Sequence, residues 1–440
     1  MMDLRPSSLA LVAALATLGL AGCNDQGGDP VAQMGANPVL PEPQQYLLPP
    51  MHIATVGHWG DATPTVPQGL QVHALARDLK HPRVVYVLPN GDVLAVESSG
   101  PKAPIFRPKD LIMGLVQSYA GSDLKGANRI TLLRDIGPDG IAKQRTVFLE
   151  NLNSPYGVVL VGHDLYVANT DALLRFPYRD GDTSITAPGT VVAALPAGPI
   201  DHHWTKSLTA SPDGTKLYVG VGSNSNITEN GIGAELDRAA VWEIDRATGA
   251  HRIFAGGTRN PTSLAFEPQS AKIWAVANER DELGPDLVPD YLTSLKDGGF
   301  YGWPYSYYGQ HVDPRVMPQR PDLVASAISP DYALSSHVAP LGLAFATGNS
   351  LTPAYRSGAF VGEHGSWDRS PLNGYKVVYV PFANGRPTGA PVQDVVTGFL
   401  DADNHARGRP VGVAVDKTGA LLVADDLGGT VWRVSASPTP

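Results

Sequence analysis

Cysteine is all but absent: the 440-residue chain has one, Cys23. A single thiol closes no internal disulfide, so a disulfide-stapled scaffold is excluded. Charge is scarce too, at 17% of residues, and the net charge is −9 with no basic stripe. A polyanion is repelled by such a surface, which argues against nucleic acid as a partner. Beyond the first 23 residues, no apolar run is long enough to cross a bilayer as a helix. Glycine (47) and proline (39), by contrast, are plentiful. Both favour short elements joined by tight turns over long helices, so the composition points to β structure.

The N-terminus, "MMDLRPSSLALVAALATLGLAGC", has a short polar start, an apolar run and a small-residue end, the pattern of a secretory signal. Its last four residues, Leu20-Ala21-Gly22-Cys23, resemble the bacterial lipobox, in which the cysteine is acylated and becomes the first residue of the mature chain. We therefore expect a lipoprotein signal peptide over 1–22 and a lipid on Cys23. A flexible Pro/Gly-rich tether over 23–65 is expected to follow. The protein would face the periplasm of a bacterial envelope and touch membrane through the lipid anchor only. Asn24, where an aspartate would favour inner-membrane retention, tilts the location toward the outer membrane.

From residue 66 one pattern recurs: an apolar strand, a turn with Gly, Asn or Asp, and a second apolar strand. Six copies stand out, among them "VVYVLPNGDVLAVESS" (84–99), "SLTASPDGTKLYVGVGSNSN" (207–226) and "VGVAVDKTGALLVADDLGGTVWRV" (411–434). Each hairpin alone leaves an apolar face uncovered, and radial stacking covers all six. The expected fold is an all-β six-bladed β-propeller over 66–436; a β-sandwich would be overfilled. The long inter-blade segments 100–128 and 282–310 are expected to build the binding face.

Candidate chemistry sits just before the blade strands. In "GGTRNPTSLAF", Arg259 and Asn260 precede a strand and offer guanidinium and amide donors to an anion or carbonyl. In "NHARGRPVGVAV", Arg407 and Arg409 lie two apart, facing one side of an extended segment, where an anion between them would offset their repulsion. Arg83 holds the equivalent place in the first blade. Oxygen donors cluster in "NERDELGPDLVPDYL" (278–292); without cysteine they suit Ca²⁺ better than zinc or copper, although the spacing is not that of an EF-hand. His202, His203, His337 and His364 lie at blade edges without zinc-helix spacing, so acid–base work is the expected role.

Together "RNPTSLAF", "GGFYGWP", "GEHGSWDRSPLNGYKV" and "ARGRPVGVAV" resemble the sorbosone dehydrogenase-like quinoproteins, relatives of the soluble aldose dehydrogenases that use pyrroloquinoline quinone (PQQ). The resemblance implies PQQ on the propeller mouth, held by Arg259, Asn260, Arg407 and Arg409, with Arg83 and His337 added by position. It implies Ca²⁺ held partly by backbone carbonyls of Asn278, Glu279 and Arg280. The implied reaction is oxidation of a sugar or sugar-derived aldehyde, with a histidine as base. In the relatives that base follows an aspartate shortly before the third-blade "PDG" turn. Here Asp201 is followed by both His202 and His203. An ungapped count back from Pro212 points to His203; adjacency to Asp201 points to His202. His337 is the reserve base. The electron acceptor, a quinone or a cytochrome, and the particular sugar are not specified by these residues. Two other readings compete: a metal-dependent lactonase or other hydrolase without quinone, and a binding propeller that has lost turnover.

Overall fold

The structure is a computed structural model that describes residues 26–44, 51–102, 120, 121, 124–346 and 351–438. The leader 1–22, Cys23 and most of the 100–128 insertion lie outside the described residues. Six sheets, antiparallel except for a short parallel edge pair in one of them, form the blades of a β-propeller, as the hairpin repeats predict. Their inner strands are Pro82–Val87, Gly157–Val161, Lys206–Ala210, Asn260–Phe266, Pro340–Phe345 and Pro410–Val415, in blades 1 to 6. Blade 6 takes its outer strand, Leu70–Ala76, from the other end of the chain; it pairs with Thr430–Ala436 and closes the ring. Among the described residues no helix is long and apolar enough to cross a membrane.

Among the described residues the core is divided between the blades rather than central. Apolar wedges fill the gaps between neighbouring blades: Tyr166 and Val159 of blade 2 pack with Val219 and Trp242 of blade 3, and Trp274 of blade 4 with Val361 and Phe382 of blade 5. Every blade thus buries both faces, which explains why its strands read as near-continuous apolar runs. Near the axis the inner strands come close. A Cβ on Gly342 would collide with the Val411 carbonyl, and one on Gly412 with the backbone at Arg83 and Val84. The glycines of "LGLAF" and "VGVAV" therefore set how tightly the ring closes. An axial cavity of about 310 Å³ remains, lined by all six inner strands. Tyr156 of blade 2 crosses its upper end and donates its hydroxyl to the Leu341 carbonyl of blade 5 at 3.2 Å.

The expected tether is corrected over its described part. Gln33 is 3% exposed, and its side-chain carbonyl accepts from Ser335 Oγ and from Ser336 N and Oγ. Met34–Gly35 add an edge strand to blade 4, and Thr55–Val56 run parallel to His405–Ala406. The Gly27 amide donates to the Ser370 carbonyl at 2.6 Å. Lack of periodicity and the many Pro, Gly and Asn residues mean that this stretch builds little of its own beyond a single 3-10 turn, Pro30–Gln33, capped by Asp29. They do not prevent it from docking, strand by strand, on edges the propeller leaves open.

Trp59 is its chief apolar anchor. It lies edge-on to Phe399 and Trp432 and donates its indole N–H to Asp425 at 2.7 Å. Trp59→Ala should cost about 3–5 kcal/mol of unfolding free energy, read from chemical denaturation, because it leaves both a cavity and a buried carboxyl short of a donor.

Candidate active site

Each inner strand starts at the same end of the propeller, and each second strand finishes there. Residues on either side of these strand ends therefore converge on one mouth, whatever their separation in sequence. Blade 6 delivers Asp426, 1% exposed, just past Leu421–Asp425. Arg83 of blade 1 donates to its Oδ2 at 2.6 Å and Arg409 of blade 6 to its Oδ1 at 3.2 Å. His364 of blade 5 and His81 of blade 1 bring Nε2 to 3.0 and 3.3 Å of Oδ2. Burial disfavours the charged carboxylate, but Arg409, His364 and His81 outweigh it and hold Asp426 well below the usual range. Burial acts the other way on His364, which falls to about 4.

Arg259, 3% exposed, organises the opposite side. Its guanidinium donates to the Asn226 carbonyl (3.1 Å), Asn226 Oδ1 (2.9 Å) and the carbonyls of Glu279 (2.6 Å) and Asn278 (3.3 Å). The Asn278 and Glu279 carbonyls, expected beside Ca²⁺, each accept from this guanidinium. Arg280 turns away, pairing with Asp313 at 2.5 Å and capping the Asp281 carbonyl. The oxygen-rich spot lies one residue further on, where Asp281, Asp368 and His337 bring ligand atoms within 4.8 Å of one another. Glu279, Asp290 and Asp368 are each pushed up to about 7, chiefly by burial.

His337 is removed as reserve base. Its Nδ1 lies 3.1 Å from Asp368 and 3.4 Å from Asp281, and its Nε2 lies 3.0 Å from the Gly284 carbonyl. Both ring nitrogens face groups that accept, so both carry protons. Burial opposes the charge, but Asp368 and Asp281 overcome it and raise the imidazole to about 10. A cation of this kind has no lone pair to offer.

His203 is the reverse case. Its Nδ1 meets the Ser223 carbonyl at 2.8 Å and Ser223 Oγ at 3.0 Å, while that hydroxyl gives its own proton to the Ser225 carbonyl at 2.6 Å. Both partners can only accept, so Nδ1 carries the hydrogen and Nε2 keeps its lone pair. Burial, with Arg259 and His202 adding, holds the ring well below the ordinary 6.5, so it is neutral near pH 7. A Cβ on Gly222 would strike both His203 Cβ and Asn260 Oδ1, which places these side chains against one stretch of backbone. His202 lies on the exposed side, its ring edge-to-face with His203 at 4.6 Å.

Asp201 was expected to act with the histidines. Its carboxylate instead bonds Thr170 at 2.5 Å and Arg238 at 3.1 Å, with Lys206 at 3.6 Å, and these contacts anchor the loop in a left-handed turn at φ 40°. Arg407 and Arg409 likewise part company. Arg409 reaches inward to Asp426, whereas Arg407 is partly exposed, 3.9 Å from Asp401. Sequence reasoning missed Asp426, His81, Asn226 and Ser223. The doubled acid of "VADDLGG" and the His81-Pro82-Arg83 run were visible signals; the two others are ordinary turn residues.

The family model for glucose/sorbosone dehydrogenase matches residues 79–367, and a TrAA12-like model matches 322–437. This chain belongs to the glucose/sorbosone dehydrogenase family. It is 28% identical over 307 residues to an uncharacterized protein of Borreliella burgdorferi, covering 67% of this chain and 79% of that one. A pyrroloquinoline quinone-dependent pyranose dehydrogenase of Coprinopsis cinerea is 34% identical over 134 residues, 26% of this chain and only 18% of that protein. The solved holo PQQ domain of the Coprinopsis cinerea pyranose dehydrogenase superposes with a TM-score of 0.68 at 20% identity, over 85% of this chain and 97% of that one. That likeness carries the fold.

In this family member, Asp426→Asn should cost about 3–5 kcal/mol at pH 7, because two buried guanidiniums lose their counter-charge. The folded carboxyl titrates below its unfolded value of 3.8, so its contribution is full above that value and fades as pH falls through the folded one. The stability gap between parent and variant, followed by urea denaturation, should stay level from neutral pH down to about pH 5 and close only in stronger acid.

Proposed function

We propose that this protein is a PQQ- and Ca²⁺-dependent sugar dehydrogenase, anchored by a lipid on Cys23 in the bacterial cell envelope and facing the periplasm. The observation that carries the reading is the lone pair left on His203 Nε2, next to a mouth where cationic side chains from three blades converge.

The residues fit the implied groups. PQQ bears three carboxylates, and Arg83, Arg259 and Arg409 bring guanidiniums from blades 1, 4 and 6. Asn260 Oδ1 and Asn278 Oδ1 are buried without a hydrogen-bond partner among the described residues, as expected where a ligand completes the site. Ca²⁺ prefers hard oxygen donors, and Asp281 with Asp368 would offer them if the bound ion takes over the positive charge that His337 otherwise places between them; Glu279 Oε1 is also unpartnered among the described residues. When bound, PQQ supplies the two-electron acceptor that oxidation of a hemiacetal or hydrated aldehyde requires, and Ca²⁺ supplies a Lewis acid.

The chain's own contribution is proton transfer and positioning. His203 Nε2 accepts the proton of the sugar hydroxyl, while Ser223 holds the ring in the one tautomer that leaves this nitrogen free. Trp204 packs edge-on to Tyr156 at 6.0 Å and under the Arg83 guanidinium, also at 6.0 Å, so the loop bearing the base is wedged between blades 1 and 2. Tyr156 closes the floor toward the axial cavity and keeps the substrate at the mouth.

Reconstitution of the purified protein with PQQ and Ca²⁺, followed by dye reduction with aldoses, ketoaldoses and alcohols, tests the proposal. Absence of quinone binding by absorbance or calorimetry would sink it, and turnover with Ca²⁺ alone would favour a hydrolase. His203→Ala should lower turnover by about 10²–10⁴-fold while PQQ still binds. Arg409→Ala should weaken PQQ binding itself. Because the base is neutral well below its ordinary value, kcat/KM should hold its plateau as pH falls through 6.5.

A further inference from the structure

The large exposed hydrophobic side chains are unevenly placed. Of the thirteen among the described residues, three lie on outer strands (Val147, Val191 and Ile253) and one at the far end of the propeller, Ile141. The remaining nine stand on segments at the mouth end, the most exposed being Leu236 and Met317 at 75% and Val39 at 64%. Leu236 lies between the second and third strands of blade 3. Met317 follows a stretch held against the blade 4 mouth loop by Arg280 with Asp313 and by Arg315 with Glu282. Val39 donates its amide to Ala32 within the N-terminal strap. Such segregation marks a face that meets an apolar surface.

The strap gives that surface an identity. Gln26 bridges to Ser370, in the blade 5 loop at the mouth, and Gly28 is held by Asp286 at 2.8 Å and by Arg369, fully buried, at 2.7 Å. Cys23 lies three residues before Gln26, a span of at most about 11 Å when extended. A lipid on Cys23 therefore enters the bilayer beside the mouth, with no tether to turn the propeller away.

We propose that the mouth face docks on the lipid surface, its apolar rim seated in the headgroup region beside the acyl anchor. The inference rests on the reading of Cys23 as the lipidated residue. Anchor and rim act together: acyl chains supply the bulk of the affinity and the rim fixes the orientation. The opposite face points to the aqueous phase. Oxidation then takes place at the membrane surface, within reach of a lipid-soluble electron acceptor.

The test uses the full-length chain, purified from membranes and reconstituted into phosphatidylcholine vesicles carrying brominated acyl chains. Leu236→Cys and Met317→Cys report the mouth rim, and Lys417→Cys reports the exposed far-end turn of blade 6. Each carries a thiol-linked fluorophore, and intact mass reads acylation of Cys23 separately. Lipid bromines should quench the two rim labels several-fold more than the label at 417. Equal quenching at all three, or none at the rim, with an acylated Cys23 overturns the docked orientation and leaves the anchor standing. A mass without acyl chains overturns the anchor reading and the docking with it.

Discussion

A carboxylate cut off from water holds the mouth together. Asp426 sits between guanidiniums from the first and last blades and beside two imidazoles, one from blade 5. An isolated charge so deep would be costly, and four cationic or donor groups offset that cost only because the ring is closed. Closure in turn depends on Leu70–Ala76 completing blade 6 beside Thr430–Ala436, which itself pairs with the strand that leads to Asp426. Charge pairing at the mouth and strand pairing at the rim thus lock the same seam. Asp425, next in sequence, faces the other way and receives N–H groups from Trp59, Trp432, Arg409 and Gly428, so one doubled acid serves both the site and its support.

Two histidines show how environment sets chemistry. His203 and His337 occupy comparable places just before inner strands, and both are surrounded by oxygen. Around His203 the oxygens are a carbonyl and a hydroxyl that accept at one nitrogen only, with Arg259 contributing positive potential. Around His337 they are two carboxylates and a carbonyl spread over both nitrogens. The first ring is held neutral with a free lone pair, and the second is held as a cation. Residue type alone could not separate them, since the partners come from loops 20 residues away for His203 and 53 residues away for His337.

The fold was legible because propeller blades repeat: apolar hairpins with "PNGD", "SPDG" and "DKTG" turns announce themselves locally. Arg259 and Arg409 were legible for the same reason, since each stands just before an inner strand; Arg83, expected at the same place, is instead the second residue of its strand, Pro82–Val87. Their partners were not. Asp426, Asp281 and Asn226 meet those arginines only when the ring brings distant loops together, and one-dimensional spacing carries no trace of it. Arg407 illustrates the converse: two residues from Arg409, on what should be the same side, it is diverted to Asp401 by a loop rather than a regular strand. The N-terminal stretch was misread because composition reports whether a segment can build its own element, and this one builds only a 3-10 turn while supplying edge strands and a buried tryptophan to others.

That stretch also sets how freely the propeller can turn about its N-terminal segment. A tether of some 40 unstructured residues would let the mouth sample every direction, with an r.m.s. reach of roughly 35 Å. Here the strap spends most of that length on the protein surface, passing from the blade 5 loop at Ser370 to the outer edge of blade 4 and back to Trp59 at blade 6. Its path frames one side of the mouth. Gln33 reaches Ser336, whose neighbour is His337, and His52 bridges to Asp368, which pairs with His337. The segment that fixes where the chain emerges therefore also buttresses the acidic side of the site. Any force that pulled the strap away would loosen the Asp281–His337–Asp368 cluster, so docking of the N-terminal stretch and integrity of the site are physically one constraint.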